Sequence, residues 1–186
     1  MKRFRIADTS IIGLKIVERQ RISDERGFLS RMFCSEELAS LGWTKPIAQI
    51  NHTLTRRPGA VRGLHLQIPP HAETKLVSCM SGEVWDVVVD LRRDSPTFLN
   101  YFGANLSAEN GRALLIPEGL AQGFQTLAAD CQLLSFTTCA YHPESESGIH
   151  SAEPRVGIRW PQPITELSAR DQDLPLLSPT FQGFRL

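Results

Sequence analysis

The chain has 186 residues, 41% of them hydrophobic, and its 20 basic side chains balance 20 acidic ones. That length suits one domain, spanning 1–186, and a chain of this size buries about 70% of its unfolded surface without metal or disulfide staples. The composition excludes a disordered or fibrous chain. The absence of a basic excess or stripe argues against a nucleic-acid partner, and no apolar run reaches the roughly 18 residues of a membrane span.

Asp8 follows the N-terminus too soon for the apolar core of a signal peptide. The four cysteines, Cys34, Cys79, Cys131 and Cys139, include no Cys-x-x-Cys pair. They read as free, mostly buried thiols in a reducing, cytoplasmic compartment.

In chain order, the sequence predicts many short strands: 12–19, 46–51, 60–67, 75–80, 83–91, 113–116 and 132–137. In 83–91 the period of two puts Trp85, Val87 and Val89 on one face and Val84, Asp86, Val88 and Asp90 on the other. Turn residues separate the strands at Ser81-Gly82, Ser95-Pro96, Asn110-Gly111 and Pro117-Glu118-Gly119. Helix is scarce: Ser35 caps a short segment at 35–41, and a turn begins at 165–169. Strands recurring at this spacing predict a β-sandwich or barrel.

Several residues carry candidate chemistry. His65 lies in Arg62-Gly63-Leu64-His65 and Lys75 opens the next strand. If those strands pair, a base and a cation share one cavity, which is what proton abstraction beside a carbonyl needs. The alternative is a structural histidine. Asp86 is either a solvated strand residue or a carboxylate aimed into a cavity. Asp171 reads as a turn aspartate or as the group that orients a distant histidine. Tyr141 is an exposed anchor, a stacking platform or a proton donor. The five histidines, His52, His65, His71, His142 and His150, include no His-x-His pair. Spacing therefore argues against a bound metal.

The ordered motifs Asp24-Glu25-Arg26-Gly27, Gln49-Ile50-Asn51, Arg62-Gly63-Leu64-His65, Lys75-Leu76-Val77, Ser95-Pro96-Thr97-Phe98, Ile116-Pro117-Glu118-Gly119, Tyr141-His142-Pro143 and Ile158-Arg159-Trp160-Pro161 resemble the dTDP-4-dehydrorhamnose 3,5-epimerase family of cupins. The resemblance implies an all-β cupin, a jelly-roll β-sandwich barrel with short peripheral helices. It also implies a homodimer that uses no metal or cofactor, acting on a nucleotide-diphosphate-linked 4-keto-6-deoxyhexose in carbohydrate biosynthesis. By the same resemblance His65 is the base, Asp171 its orienting partner and Lys75 the enolate stabiliser. Arg26, Gln49, Asn51, Arg62 and Tyr141 contact the substrate, and Asp86 matches a family aspartate of the barrel.

The chain departs from the family pattern where a tyrosine acid is usual, at Ser135, and where a histidine is usual, at Gln122. Leu29 and Arg31 stand where an aromatic and a glutamate are usual. Serine is a far weaker acid than a phenol of pKa about 10. These changes keep open a C3-only epimerase, an isomerase of another nucleotide sugar, or a cupin that binds a nucleotide sugar with little turnover.

Overall fold

The computed structural model describes residues 3–186. Its strands are β1 (Phe4–Asp8), β2 (Lys15–Arg19), β3 (Arg21–Asp24), β4 (Gly27–Ser30), β5 (Gln49–Thr55), β6 (Val61–Gln67), β7 (Lys75–Ser81), β8 (Glu83–Asp90), β9 (Tyr101–Ser107), β10 (Arg112–Ile116), β11 (Leu120–Thr126), β12 (Cys131–Thr137) and β13 (Glu146–Gly148). Two short helices accompany them, α1 (Ser35–Ala39) and α2 (Ala169–Gln172). No helix among the described residues is long and apolar enough to cross a membrane.

The strands form a six-stranded sheet ordered β1-β2-β10-β7-β12-β5, a five-stranded sheet ordered β13-β6-β11-β8-β9, and the separate β3–β4 hairpin. Between the large sheets lies a core built from both. Val77, Cys79, Leu114 and Leu133 come from the first sheet, and Val84, Val88, Leu106 and Leu120 from the second. The outer face of the six-stranded sheet is covered by the α1 region, where Leu38 and Trp43 pack on Leu76, Leu115 and Phe136. The outer face of the five-stranded sheet carries Leu64, Leu66, Val87 and Val89 under Ile158, Trp160, Phe181 and Phe184 of the C-terminal segment. Each fully buried aliphatic side chain here, such as Leu38, contributes about 1.5–3 kcal/mol.

The alternation expected in β8 is present. Val87 and Val89 enter the outer layer with Trp85 packed against it, while Val84 and Val88 enter the central core. The barrel is not. Both large sheets are open, and β5 at one rim has no ladder to β13 or β6 across the gap. The gap on that side is the mouth of the cavity described below, which Arg56, Arg57 and Arg62 line. The architecture is therefore an open two-sheet sandwich.

Ser35 is the first residue of α1 and does not cap it. Cys34 holds the cap position and makes no side-chain bond there. All four cysteines are free, with Cys79 and Cys131 buried and Cys34 and Cys139 half-buried.

Candidate active site

His65 reaches the interior because of strand alternation. Leu64 and Leu66 are buried on the outer layer of β6, so His65 and Gln67 turn inward. A bulge in the β6–β11 ladder sets Gln122 opposite His65. Two glycines permit this close approach. A Cβ on Gly63 would stand 2.6 Å from Gly123 Cα, and one on Gly123 would stand 2.6 Å from the Arg62 carbonyl oxygen.

His65 Nε2 lies 2.6 Å from Asp171 Oδ1. Asp171 is held by α2, where the Ser168 hydroxyl caps the helix and accepts from the Asp171 amide at 3.1 Å. Burial pushes the Asp171 carboxyl up, but hydrogen bonds from His65, Ser168 and the Gly63 amide outweigh it and hold the group below the usual carboxylate range. An ionised Asp171 accepts the Nε2 proton, which leaves Nδ1 as the basic nitrogen; that atom has no partner among the described residues.

Lys75 opens β7 in the other sheet, opposite Thr137 of β12. Its ammonium donates to the His65 carbonyl oxygen at 3.2 Å and lies 3.1 Å from Glu73 Oε1. Gln67 holds the second carboxylate oxygen of Glu73 at 2.9 Å. The strands of His65 and Lys75 lie in different sheets and do not pair, yet both residues line one cavity.

Ser135 sits on β12 between Asn51 and Val77. With Gln122 and His65 it lines two adjoining cavities of about 910 and 230 Å³. The larger takes Asn51, Arg56, Arg57, Arg62, Arg170 and Asp171 into its wall. The smaller takes Gln49, Lys75, Tyr141 and Glu146. Tyr141 donates its phenol proton to Glu146 Oε2 at 2.8 Å, and Gln49 accepts from the Tyr141 amide at 3.0 Å.

Two expected site residues are not brought to either cavity. Arg26 lies on the exposed β3–β4 hairpin, paired to Asp24 at 2.6 Å. Asp86 is fully buried behind Gln122, which it holds by a hydrogen bond, and lines neither cavity. It is therefore neither the solvated residue nor the cavity carboxylate that its sequence context allows.

Asp86 contrasts with Asp90 four residues on. Asp90 accepts from Arg92, Ser95 and Thr97. Asp86 has only the Gln122 amide, which donates to Oδ2 at 2.8 Å, and Oδ1 has no partner. Burial consequently pushes the Asp86 carboxyl well above its ordinary value, against the smaller opposing effects of Gln122 and the Lys75 charge. Above the ordinary value of 3.8 the unfolded chain gives up this proton while the folded chain keeps it, so the group subtracts stability as pH rises. Asp86→Asn removes that loss. Urea unfolding from pH 4 to 7 is expected to show a shallower decline for the variant than for the parent; parallel curves would contradict the assignment.

Sequence reasoning passes over Glu73, Glu146, Ser168 and Arg170. The Ser-x-x-Asp spacing from Ser168 to Asp171 is a capping signature that places Asp171 at a helix start. Glu73 lies two residues before Lys75, on the same side of an extended chain.

A family model described as dTDP-4-dehydrorhamnose 3,5-epimerase matches residues 8–179. The epimerase of that name from Salmonella typhimurium is 42% identical over 174 residues, covering 92% of this chain and 94% of the relative. The dTDP-4-dehydrorhamnose 3-epimerase of Streptomyces niveus is 34% identical over 175 residues, covering 94% and 84%. The crystal structure of the dTDP-6-deoxy-D-glucose-3,5-epimerase of Legionella pneumophila, solved with dTDP-4-keto-L-rhamnose, superimposes with a TM-score of 0.88. It shares 40% identity over 93% of this chain and 92% of that one.

Proposed function

Because the chain belongs to the dTDP-4-dehydrorhamnose 3,5-epimerase family, we propose that His65 removes a proton beside the ketone of a dTDP-linked 4-keto-6-deoxyhexose and that Lys75 stabilises the resulting enolate. The protein is an epimerase-like enzyme acting on a nucleotide-linked deoxyhexose. The observation that carries the residue assignment is the 2.6 Å pair of His65 with a buried Asp171, in the same cleft as Lys75.

The 4-keto group acidifies the neighbouring C–H bonds, so this route needs no cofactor. When the C–H bond breaks, its electron pair moves to the ketone oxygen. A preset ammonium there stabilises the developing charge without reorganising water. Asp171 fixes the His65 tautomer and stabilises the imidazolium that forms. Arg56, Arg57, Arg62 and Arg170 on the wall of the larger cavity supply the charge and donor geometry for a diphosphate. Gln49, Asn51 and Tyr141 bound the adjoining sugar space.

Inversion needs a proton returned to the opposite face. Ser135 stands on the sheet facing His65, and Gln122 turns its Nε2 toward Asp86, which leaves Oε1 for the cavity. In this proposal a water bound at the Ser135 hydroxyl, on the sheet opposite His65, returns the proton. After product leaves, the imidazolium of His65 gives its proton to solvent in the open cleft and the hydroxide takes one from solvent, which restores both groups. Water is a weaker acid than a phenol, so Ser135→Tyr is expected to raise kcat about tenfold or more. An unchanged rate and product would contradict the water route.

The test of the whole reading is product identification by proton NMR after incubation with dTDP-4-keto-6-deoxyglucose. Inversion at C3 and C5 supports the two-centre reading. Inversion at C3 alone supports a one-centre epimerase, the activity named for the Streptomyces niveus relative. No inversion at either centre contradicts both.

The working unit in this proposal is a cytoplasmic homodimer. Phe28 and Leu29 on the β3–β4 hairpin are 59% and 69% exposed, and Ile50 is exposed on the edge strand β5. A second copy would cover these apolar groups and bring Arg26 to the neighbouring cleft. Light scattering should return twice the 20.8 kDa chain mass; a monomer would remove this part of the proposal.

A further inference from the structure

Outside the catalytic cleft, two loops bring together three side chains able to ligate a metal. His71 follows β6, while His142 and Glu144 follow β12, so the set exists only in the fold. The two imidazole rings stack with centroids 3.6 Å apart and planes 7° from parallel. Glu144 Oε1 lies 3.0 Å from His142 Nδ1 and 3.8 Å from His71 Nδ1. Ligand atoms of the three residues all fall within 4.8 Å of one another.

The geometry points to a site for a divalent transition metal of the zinc class, bound by His71, His142 and Glu144 with water completing the coordination. A tetrahedral ion with bonds of about 2.0–2.1 Å places its ligand atoms roughly 3.4 Å apart, and the three side chains are close enough for one ring turn to reach that spacing. Two imidazoles with one carboxylate suit zinc, nickel or copper. Magnesium and calcium prefer ligand sets made of oxygen.

The loops that carry these ligands are already fixed relative to each other. Gln67, 4% exposed, donates to the carbonyl oxygens of His71 at 3.2 Å and Ala140 at 3.0 Å, and accepts from the His142 amide at 2.6 Å. One buried amide therefore ties both loops. An ion must lie near the plane of each imidazole it binds, and no point lies in both planes of a parallel stack. Binding therefore requires the half-exposed His142 ring to turn about its Cβ–Cγ bond, out of its stack with His71 and its present contact with Glu144. The His71 Nδ1 bond to Ser145 Oγ, 2.9 Å in the unbound arrangement, gives way to the metal. Binding would add a second tie between the loop that leads into Glu73 and Lys75 and the segment that carries Tyr141. Chain spacing alone, with no His-x-His pair, gives no sign of this arrangement.

The experiment is isothermal titration of the chelator-stripped full chain with zinc chloride, and with magnesium chloride as a comparison. One zinc per chain is expected, with no magnesium binding at the same concentrations. His71→Ala and Glu144→Gln should each weaken zinc binding at least tenfold, whereas His150→Ala should not. Histidine ring resonances should show the His71–His142 stack lost on zinc addition. Absence of zinc binding would overturn the site. So would zinc binding that survives both variants, or that His150→Ala weakens equally. These outcomes do not depend on epimerase activity, so the site stands or falls apart from the catalytic proposal.

Discussion

His65→Ala is expected to lower kcat by about a hundredfold to ten-thousandfold, with KM changed far less. The imidazole acts on a proton that moves only in the transition state, so its loss affects turnover more than ground-state binding. Asp171→Asn should lose much of the same factor, about a hundredfold or more. An amide offers either an N–H or a carbonyl to Nε2, and it no longer fixes the proton there or stabilises the imidazolium. Because the two residues act as one unit, the double variant should be little slower than His65→Ala alone. Steady-state kinetics of the three variants decide the matter. Multiplicative effects would mean that Asp171 acts on something other than His65. Asp171 also lies in the first turn of α2, where its backbone amide donates to Ser168, so circular dichroism melts should accompany the rates.

Lys75→Met is expected to lower kcat by about a hundredfold to a thousandfold, the usual effect of removing one group that stabilises a developing oxyanion. The methionine keeps much of the aliphatic stem and removes the charge. It also leaves Glu73 without its cation, 3.1 Å away in the parent, while Gln67 still donates to it. A Lys75→Met, Glu73→Gln pair removes both charges and separates catalysis from the cost of an unpaired carboxylate. Full stability with the same rate loss is expected of that pair. Recovery of the rate would place Lys75 among structural charges.

Much of this site was legible in the chain because strand physics is local. The alternation around Leu64, His65 and Leu66 identifies an inward histidine, and the pattern of β8 assigns Val84 and Val88 to the central core. β11 is harder to read, because Gln122, Gly123 and Gln125 interrupt its apolar residues. Yet it runs between β6 and β8 and supplies Gln122 opposite His65. The closure of the sheets depends on which edges find partners, and alternation within a strand says nothing about that. Asp86 shows the same limit: its inward direction follows from the period of two, but its seat behind Gln122 depends on a neighbouring strand. The motifs add what periodicity lacks, namely that His65 and Asp171, far apart in sequence, belong together.

Solvent hydrogen exchange tests the central claim most directly. The parent and His65→Ala would be incubated in heavy water with dTDP-4-keto-6-deoxyglucose, and deuterium at C3 and C5 followed by proton NMR. The account predicts deuterium at each inverted carbon with the parent, and uptake slowed at least a hundredfold in the variant. Equal uptake in both proteins, or inversion by the parent without deuterium, would contradict proton abstraction by His65.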